Sequence, residues 1–339
     1  LTRDDKTIPY DQRSPFKPED YPDRLQFVKG DIRESGLGLS PGILSDLKDS
    51  VDEIWHFAAI TSFDELFRSD IFRINLDGTE NLIEIAQQLD QLTCFNHIST
   101  AYTAGKQSFP DVIHESVPAE QPEFKNPYEE SKFLAEQRLA DSGLPYLIYR
   151  PSIVLGETVS GRSDGQTVFN VAKMVRLAKL LSERDATRNN LPMNHHSFRV
   201  VANPAAFKNM VPVDDVISMC LRIRAANPTM GSVFHVTHPK AGCIADLVEV
   251  ITKTIHIDSH EIVSSLDGES LSVPEKVLER VAEVFTPYML NSDPVFDMKN
   301  VHYLIGDTAI PTVDQEYLHF CIDTFYRLYF GAGYNATMV

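Results

Sequence analysis

The sequence predicts an α/β fold: a doubly wound parallel sheet carrying a smaller, helix-rich C-terminal lobe. Three observations lead there. Short apolar runs alternate with helical patterns through the first half of the chain. Strand, helix, strand at that rhythm requires crossover connections, and therefore parallel strands. After Gly156 the rhythm changes to polar loops and longer helical stretches. Hydrophobic residues make up 43% of the 339 positions, enough for a substantial core in one large domain or two smaller ones.

Taken in order, Leu25-Gln-Phe-Val reads as the first strand and Ile54-Trp-His-Phe-Ala-Ala-Ile as the second. A helix is predicted over about 69–89, where Leu82, Ile85 and Ala86 fall at helical spacing. Leu92-Thr-Cys-Phe-Asn-His-Ile is the next strand, 126–142 the next helix, and Tyr146-Leu-Ile-Tyr the strand after it. Residues 157–167 are small and polar, as in a loop; a helix follows over about 168–184, and 185–196 is again polar and irregular. Val233-Phe-His-Val-Thr reads as a late strand, with helical patterns over about 243–256, 272–290 and 312–330. The sequence contains no internal repeat and no low-complexity tract.

The net charge of −17 argues against broad nucleic-acid binding, which needs basic surface. A phosphate-bearing ligand or an acidic carrier would need a local basic patch; the general effect of the acidic excess is solubility. The four cysteines, Cys94, Cys220, Cys243 and Cys321, lie far apart with no metal-ligand spacing, as expected of reduced thiols. No apolar run is long enough for a membrane span, and the opening Leu1-Thr-Arg-Asp-Asp-Lys is too polar for a signal peptide. The expectation is a cytoplasmic protein. His195-His196 has no partner at ligand spacing and reads as a solvated loop. Asn335-Ala-Thr reads as an accidental sequon.

The chemistry centres on Asn126-Pro-Tyr-Glu-Glu-Ser-Lys. The spacing of Tyr128 and Lys132 puts both on one helix face. A nearby ammonium favours phenolate, and a tyrosine with a lowered pKa can exchange a proton with a carbonyl oxygen. Alone the pattern is common by chance; its neighbours give it meaning. His97-Ile-Ser-Thr ends the preceding strand, so Ser99 and Thr100 stand where open parallel sheets bind ligands. A Ser-Thr pair there is otherwise a turn or helix cap. Ala58 and Ala59 end another strand and would let a flat ligand approach the backbone, although plain sheet packing explains them equally well. Asp31, after Lys29-Gly30, could accept from an adenine amino group or close a turn. Pro151 stops the ladder at the end of its strand and redirects the chain, and Arg150 reads as one half of a structural ion pair.

The ordered set Gly30-Asp31, His56-Phe-Ala-Ala, Asn75-Leu-Asp-Gly-Thr, Ser99-Thr100, Tyr128-x-x-x-Lys132, Arg150-Pro-Ser and Val211-Pro-Val-Asp-Asp-Val resembles the extended short-chain dehydrogenase/reductase superfamily. His97-Ile-Ser-Thr-Ala-Tyr, Asn209-Met-Val-Pro-Val-Asp and Phe234-His-Val-Thr-His-Pro are most similar to its branch of thioester reductase domains and fatty acyl-CoA reductases. The resemblance spans about residues 24–240. It implies a Rossmann-like domain over 1–156, with strand contributions from about 197–240, and a substrate lobe over 157–196 and 241–339. It implies that Thr100 orients a substrate carbonyl, that Tyr128 is the general acid, and that Lys132 holds the nicotinamide ribose and lowers the Tyr128 pKa. Asn75 would steady the central backbone. Asp31 and Ile32 would flank adenine. Phe57, Ala58, Ala59 and Ile98 would line the cofactor groove, and Pro151, Ser152 and Ile153 would lie beside nicotinamide. Asp214 would support the junction of the two lobes.

One departure stands out. The family opens with a Gly-rich turn that binds pyrophosphate at a helix N-terminus, and this sequence lacks it. Gly331-Ala-Gly-Tyr-Asn-Ala fits the pattern formally but follows a helical segment in place of a strand, so it is rejected. The dinucleotide-binding domain is therefore read as truncated. Leu1-Thr-Arg resembles the basic edge that meets the ribose, where Arg3, with Lys6 assisting, would suit a 2′-phosphate and hence NADPH over NADH. The implied activity is NADPH-dependent reduction of an acyl thioester, on CoA or an acyl carrier protein, to aldehyde or alcohol. The implied assembly is a homodimer or part of a larger modular synthetase. The alternatives are an extended-type reductase, epimerase or dehydrogenase acting on another carbonyl or a nucleotide sugar, and a non-catalytic binding protein of the same fold.

Overall fold

Alternation along the central strands builds the layers. The strands are β1 (Glu53–His56), β2 (Cys94–Ile98), β3 (Tyr146–Pro151) and β4 (Ser232–Val236), all parallel and ordered β1-β2-β3-β4. Successive side chains point to opposite faces. Phe95, Ile148 and Val233 therefore pack on one side against Ile83, Ala86 and Leu139. Cys94, Leu147, Tyr149 and Phe234 pack on the other against Val216, Met219, Cys220 and Ile223. The chain is thus an α/β fold with a Rossmann-like parallel sheet and helices on both faces. The described residues of this computed structural model are 26–331, apart from 164–166, 189–196, 258, 267–270, 273–274, 277–278, 280–281, 308–309 and 311–312.

The longer helices up to Thr254 are α1 (Pro41–Ser50), α2 (Arg68–Asn75), α3 (Asp77–Ala86), α4 (Pro127–Asp141), α5 (Val168–Arg188), α6 (Val213–Ala225) and α7 (Ile244–Thr254), of which α3 and α4 pack on one face of the sheet and α6 on the other. The single helix expected over 69–89 is two helices, because the chain bends at Leu76 (φ −95°, ψ −65°). The run from Ile54 to Ile60 is a strand only as far as His56. The first expected strand does not form among the described residues: 26–30 hold one isolated bridge at Lys29, and Phe27 is 47% exposed, so no buried face aligns the run. Pro151 ends the ladder and the chain turns away after it, as expected. It closes β3 in register with Val236, and only after Ser152 does the chain switch to a short strand, Ile153–Leu155, beside Met210–Pro212.

Beyond Gly156 a separate apolar cluster forms from α5 (Phe169, Ala172, Val175), α7 (Leu247, Val248, Ile251) and the helix Gln315–Phe330 (Leu318, Ile322, Phe325). Of the 197–240 stretch, Ser232–Val236 enters the central sheet, whereas Ser197–Val201 pairs with Ser259–Val263. Of the expected 272–290 helix, Thr286–Leu290 is helical and part of the remainder lies outside the described residues. Arg3, Lys6, His195, His196 and Asn335 also lie outside them. No helix among the described residues is long and apolar enough to cross a membrane.

Candidate active site

Helix α4 begins where its sequence says it should. The Asn126 side chain accepts from the Glu129 amide at 3.0 Å, Pro127 takes the first turn, and Glu129 and Glu130 face the positive helix end. This start places Tyr128 and Lys132 one turn apart beside the carboxyl end of β2. Thr100, 4% exposed, caps the turn Ala101–Ala104, and its hydroxyl meets the Tyr128 phenol. Lys132 is 2% exposed and donates to the Ile98 carbonyl at 2.7 Å and to His97 Nε2 at 3.2 Å. An ammonium carries three protons, so one N–H of Lys132 is uncommitted among the described residues.

The electrostatics depart from expectation. Burial pushes the Tyr128 phenol up to about 12; contact with Thr100 opposes that rise, and Glu129 adds to it. Lys132 does not lower it. The ammonium is spent on the β2 backbone and His97, and burial brings Lys132 itself down to about 8, against the opposing pull of Glu136. The same burial, and then the Lys132 charge, holds His56 down at about 3 and His97 well below its ordinary range. Both imidazoles are neutral. Tyr128 is therefore held in its proton-donating form.

Asn75 is fully used. Its Oδ1 accepts from the Ile60 amide at 2.7 Å, and its Nδ2 donates to the Ile60 carbonyl and to Ser131 Oγ, each at 3.0 Å. One side chain thereby ties the loop after β1 to helix α4. Asn75→Ala is expected to cost about 1–3 kcal/mol, the penalty for stranding buried polar groups. Faster hydrogen exchange at the Ile60 amide checks it.

The positions expected along a cofactor groove lie at the carboxyl edge of the sheet. Phe57 (62% exposed) and Ala58 are open to solvent, with Phe57 stacked on Trp55 at 6.2 Å. Ala59 is half-buried. Ile98 presents its carbonyl to Lys132. Ser152 is bonded to Asn209 at 2.7 Å, and Ile153, 9% exposed, packs into the core. Asp31 is not an open acceptor: its carboxylate is gripped by Arg33 Nε and Nη2 and by the Arg33 amide. Ile32 sits over Gly78, where an added Cβ would lie 2.9 Å from the isoleucine side chain. That close approach explains the glycine in Asn75-Leu-Asp-Gly-Thr. Ser99 Oγ is buried with no hydrogen-bond partner among the described residues. An orphaned hydroxyl, a spare ammonium proton and an alanine-lined strand end fit a flat, polar-edged ligand such as nicotinamide dinucleotide.

Two expected structural roles have counterparts. Arg150 forms a buried bidentate pair with Glu136. Asp214 accepts from the amide and hydroxyl of Thr158, joining α6 to the loop after Gly156.

The sequence reading missed the aromatic wall facing Tyr128. Phe63 lies 5.8 Å from the Tyr128 ring, 5.1 Å from Tyr288 and 5.5 Å from Phe285. Phe285 lines three adjoining cavities. One, of about 700 Å³, runs from Ala59 and Ile60 past Phe63 to α5. A second, of about 680 Å³, is bounded by Val171, Met174, Val175, Val200, Leu266, Ala282 and Leu290. A small apolar one joins Phe63, Tyr102, Ile153 and Tyr288. The lone signal in the sequence was the aromatic content of 285–288, which no local period distinguishes from core.

This combination, a parallel sheet with a Tyr and Lys one turn apart beside a strand-end Thr, is that of the extended short-chain dehydrogenase/reductases. Residues 5–220 match the NAD-binding family described as male sterility protein, which is more than half of the chain. The chain belongs to that family, in the branch of fatty acyl-CoA reductases and thioester reductase domains. It is similar to the fatty acyl-CoA reductase wat of Drosophila melanogaster, 27% identical over 169 residues, covering 42% of this chain and 32% of the relative. It is similar to the aldehyde reductase lnaA of Aspergillus flavus, 24% identical over 331 residues, covering 85% of this chain and 29% of that one. The chain thus spans about a third of the length of these curated relatives. In fold it resembles the terminal R domain from the myxalamid PKS-NRPS biosynthetic pathway, with a TM-score of 0.70 at 20% identity, covering 92% of this chain and 77% of that one.

Proposed function

We propose that this chain carries the catalytic centre of an NADPH-dependent reductase that converts an acyl thioester, on CoA or an acyl carrier protein, to an aldehyde or alcohol. What supports the reading is that the Thr100 hydroxyl meets the Tyr128 phenol at the end of β2, whose Ile98 carbonyl Lys132 binds, and that Phe63, packed on Tyr128, opens onto a cavity of mixed polar and apolar lining. The acyl thioester is suggested by the names of the curated relatives that are fatty acyl-CoA reductases. The choice of NADPH over NADH rests on the sequence alone, where Arg3, outside the described residues, would suit a 2′-phosphate.

The nicotinamide, when bound, supplies hydride to the thioester carbonyl. The Thr100 and Tyr128 hydroxyls donate to the oxygen as negative charge develops on it. A phenol kept protonated by burial is the form a reduction needs, so Tyr128 gives up its proton to that oxygen. Lys132, anchored to the Ile98 carbonyl and His97, would hold the ribose through its spare N–H. The hemithioacetal then collapses: its hydroxyl proton returns to the Tyr128 phenolate, the carbonyl re-forms as the C–S bond breaks, and the thiolate takes a proton from solvent. Acyl thioester, NADPH and a proton become aldehyde, thiol and NADP⁺. A second hydride and proton would give the alcohol. Pro151, Ser152 and Ile153 would border the nicotinamide end. The acyl group would extend past Phe63 towards Phe285.

The direct test supplies the whole protein with NADPH and a series of acyl-CoA or acyl-carrier substrates, and follows NADPH oxidation together with free thiol. Equal formation of both supports the reading; cofactor oxidation only with sugars or ketones, without thiol, contradicts it. The pH dependence is a second check. Lys132 must be cationic, and its folded-state value is depressed to about 8, so kcat/KM should fall as pH rises through about 8. An activity that stays level to the ordinary tyrosine range would separate Lys132 from the chemistry.

A further inference from the structure

We infer that Tyr288 is a positioning residue for Tyr128, reaching out of the second half of the chain to fix the first turn of the helix that carries the phenol. The inference rests on the reading of Tyr128 given above.

Tyr288 is 7% exposed and grips α4 on both sides of Tyr128. Its hydroxyl accepts from Asn126 Nδ2 at 2.5 Å and donates to Glu129 Oε1 at 2.5 Å. Asn126 is the residue that caps α4, through the Glu129 amide. The ring is the second contact: it stacks on Phe63, which itself lies against the Tyr128 ring. Tyr288 thus sets the helix start by hydrogen bonds and the phenol's lateral wall by packing.

The position is held rigidly from behind. The Tyr102 ring meets Tyr288 edge-on at 5.5 Å, and its hydroxyl donates to Asp293 at 2.8 Å. Asp293 also accepts from Lys208 at 2.5 Å and from the Asn209 amide at 2.8 Å. Asn209 Oδ1 in turn accepts from Ser152 Oγ at 2.7 Å. Two buried hydrogen-bonded groups, one running from Ser152 to Asp293 and Tyr102 and the other from Tyr288 to the first turn of α4, meet at the edge-on Tyr102–Tyr288 contact. Buried, hydrogen-bonded groups of this kind hold their members in one arrangement. Displacing a reacting group by a fraction of an ångström is costly to rate even where binding is unaffected. Tyr288 also lines the small cavity beside Phe63, so what fills that space is felt at the phenol.

The test compares Tyr288→Phe, Tyr288→Leu and Tyr128→Phe in the whole protein labelled with carbon-13 at the tyrosine ring carbon bearing the hydroxyl. Tyr128→Phe identifies the Tyr128 signal. Tyr288→Phe keeps the ring but loses both hydrogen bonds. It should move the Tyr128 signal and its titration, and lower kcat about tenfold with KM for both substrates unchanged. Tyr288→Leu, which also loses the stacking, should lower kcat further. A folded Tyr288→Phe protein with an unmoved Tyr128 signal and unchanged kcat would overturn the inference. Should Tyr128→Phe keep full turnover, the thioester reading fails on its own account, while the Tyr128 signal still decides whether Tyr288 positions the phenol.

Discussion

Replacing Tyr128 with Phe is expected to lower turnover of an acyl thioester by about 10²–10⁴-fold, the usual contribution of a placed proton donor. The fold should survive. Among the described residues the phenol oxygen meets only the Thr100 hydroxyl, and the ring's packing on Phe63 is kept by Phe. Circular dichroism and thermal melting should be close to the parent's, and cofactor affinity should hold because Lys132 keeps its bonds to Ile98 and His97. A Phe variant with unchanged turnover would remove Tyr128 from the mechanism. Thr100→Val should give a smaller loss, since one of two donors to the oxyanion remains.

The second large effect concerns stability. Arg150 is 2% exposed and Glu136 0%, and they pair through Nε–Oε1 at 3.0 Å and Nη2–Oε2 at 2.5 Å. Arg150→Met would leave a carboxylate buried without its partner, which costs about 3–5 kcal/mol. Chemical denaturation of the variant should show this as a large drop in midpoint at unchanged slope. The double replacement Arg150→Met with Glu136→Leu should recover most of it, because a buried ion pair is worth little more than well-packed apolar groups. If the single variant were as stable as the parent, the pair would not be buried in solution. A double variant no better than the single one would point instead to lost packing of the arginine stem.

The parts of this molecule that were legible in the sequence are those written in local patterns. Strand runs such as Leu92–Ile98 carried their own period, and the spacing of Tyr128 and Lys132 on a capped helix was readable in a single segment. Boundaries that depend on neighbours were not readable. The residues at 26–30 have strand-like character but no buried face, and the helix over 69–89 broke at Leu76, two residues before Gly78, where helical apolar spacing continued across the break. α6 and the short helix Lys299–Ile305 were overlooked, their apolar stripes being brief. The direction of the Tyr128 shift went wrong for a related reason. Sequence gives the charge four residues away, while the shift is governed by burial, and the Phe63 ring that packs on Tyr128 is remote in the chain. The same distance hid Asp293, which gathers Tyr102, Lys208 and Asn209 from three separate segments. Arg33 beside Asp31 was in plain view, but only geometry turns that neighbour into a competitor for the carboxylate.

The reading as a whole comes down to whether hydride reaches a thioester carbonyl at the Thr100–Tyr128 pair. A single turnover of the whole protein with NADPH deuterated at its transferable position, and an acyl thioester, decides it. The account predicts deuterium on the aldehyde carbon in equal amount to the thiol set free, with both lost together in Tyr128→Phe. Thiol set free without label in the aldehyde, or label transferred at full rate by the Phe variant, would contradict it.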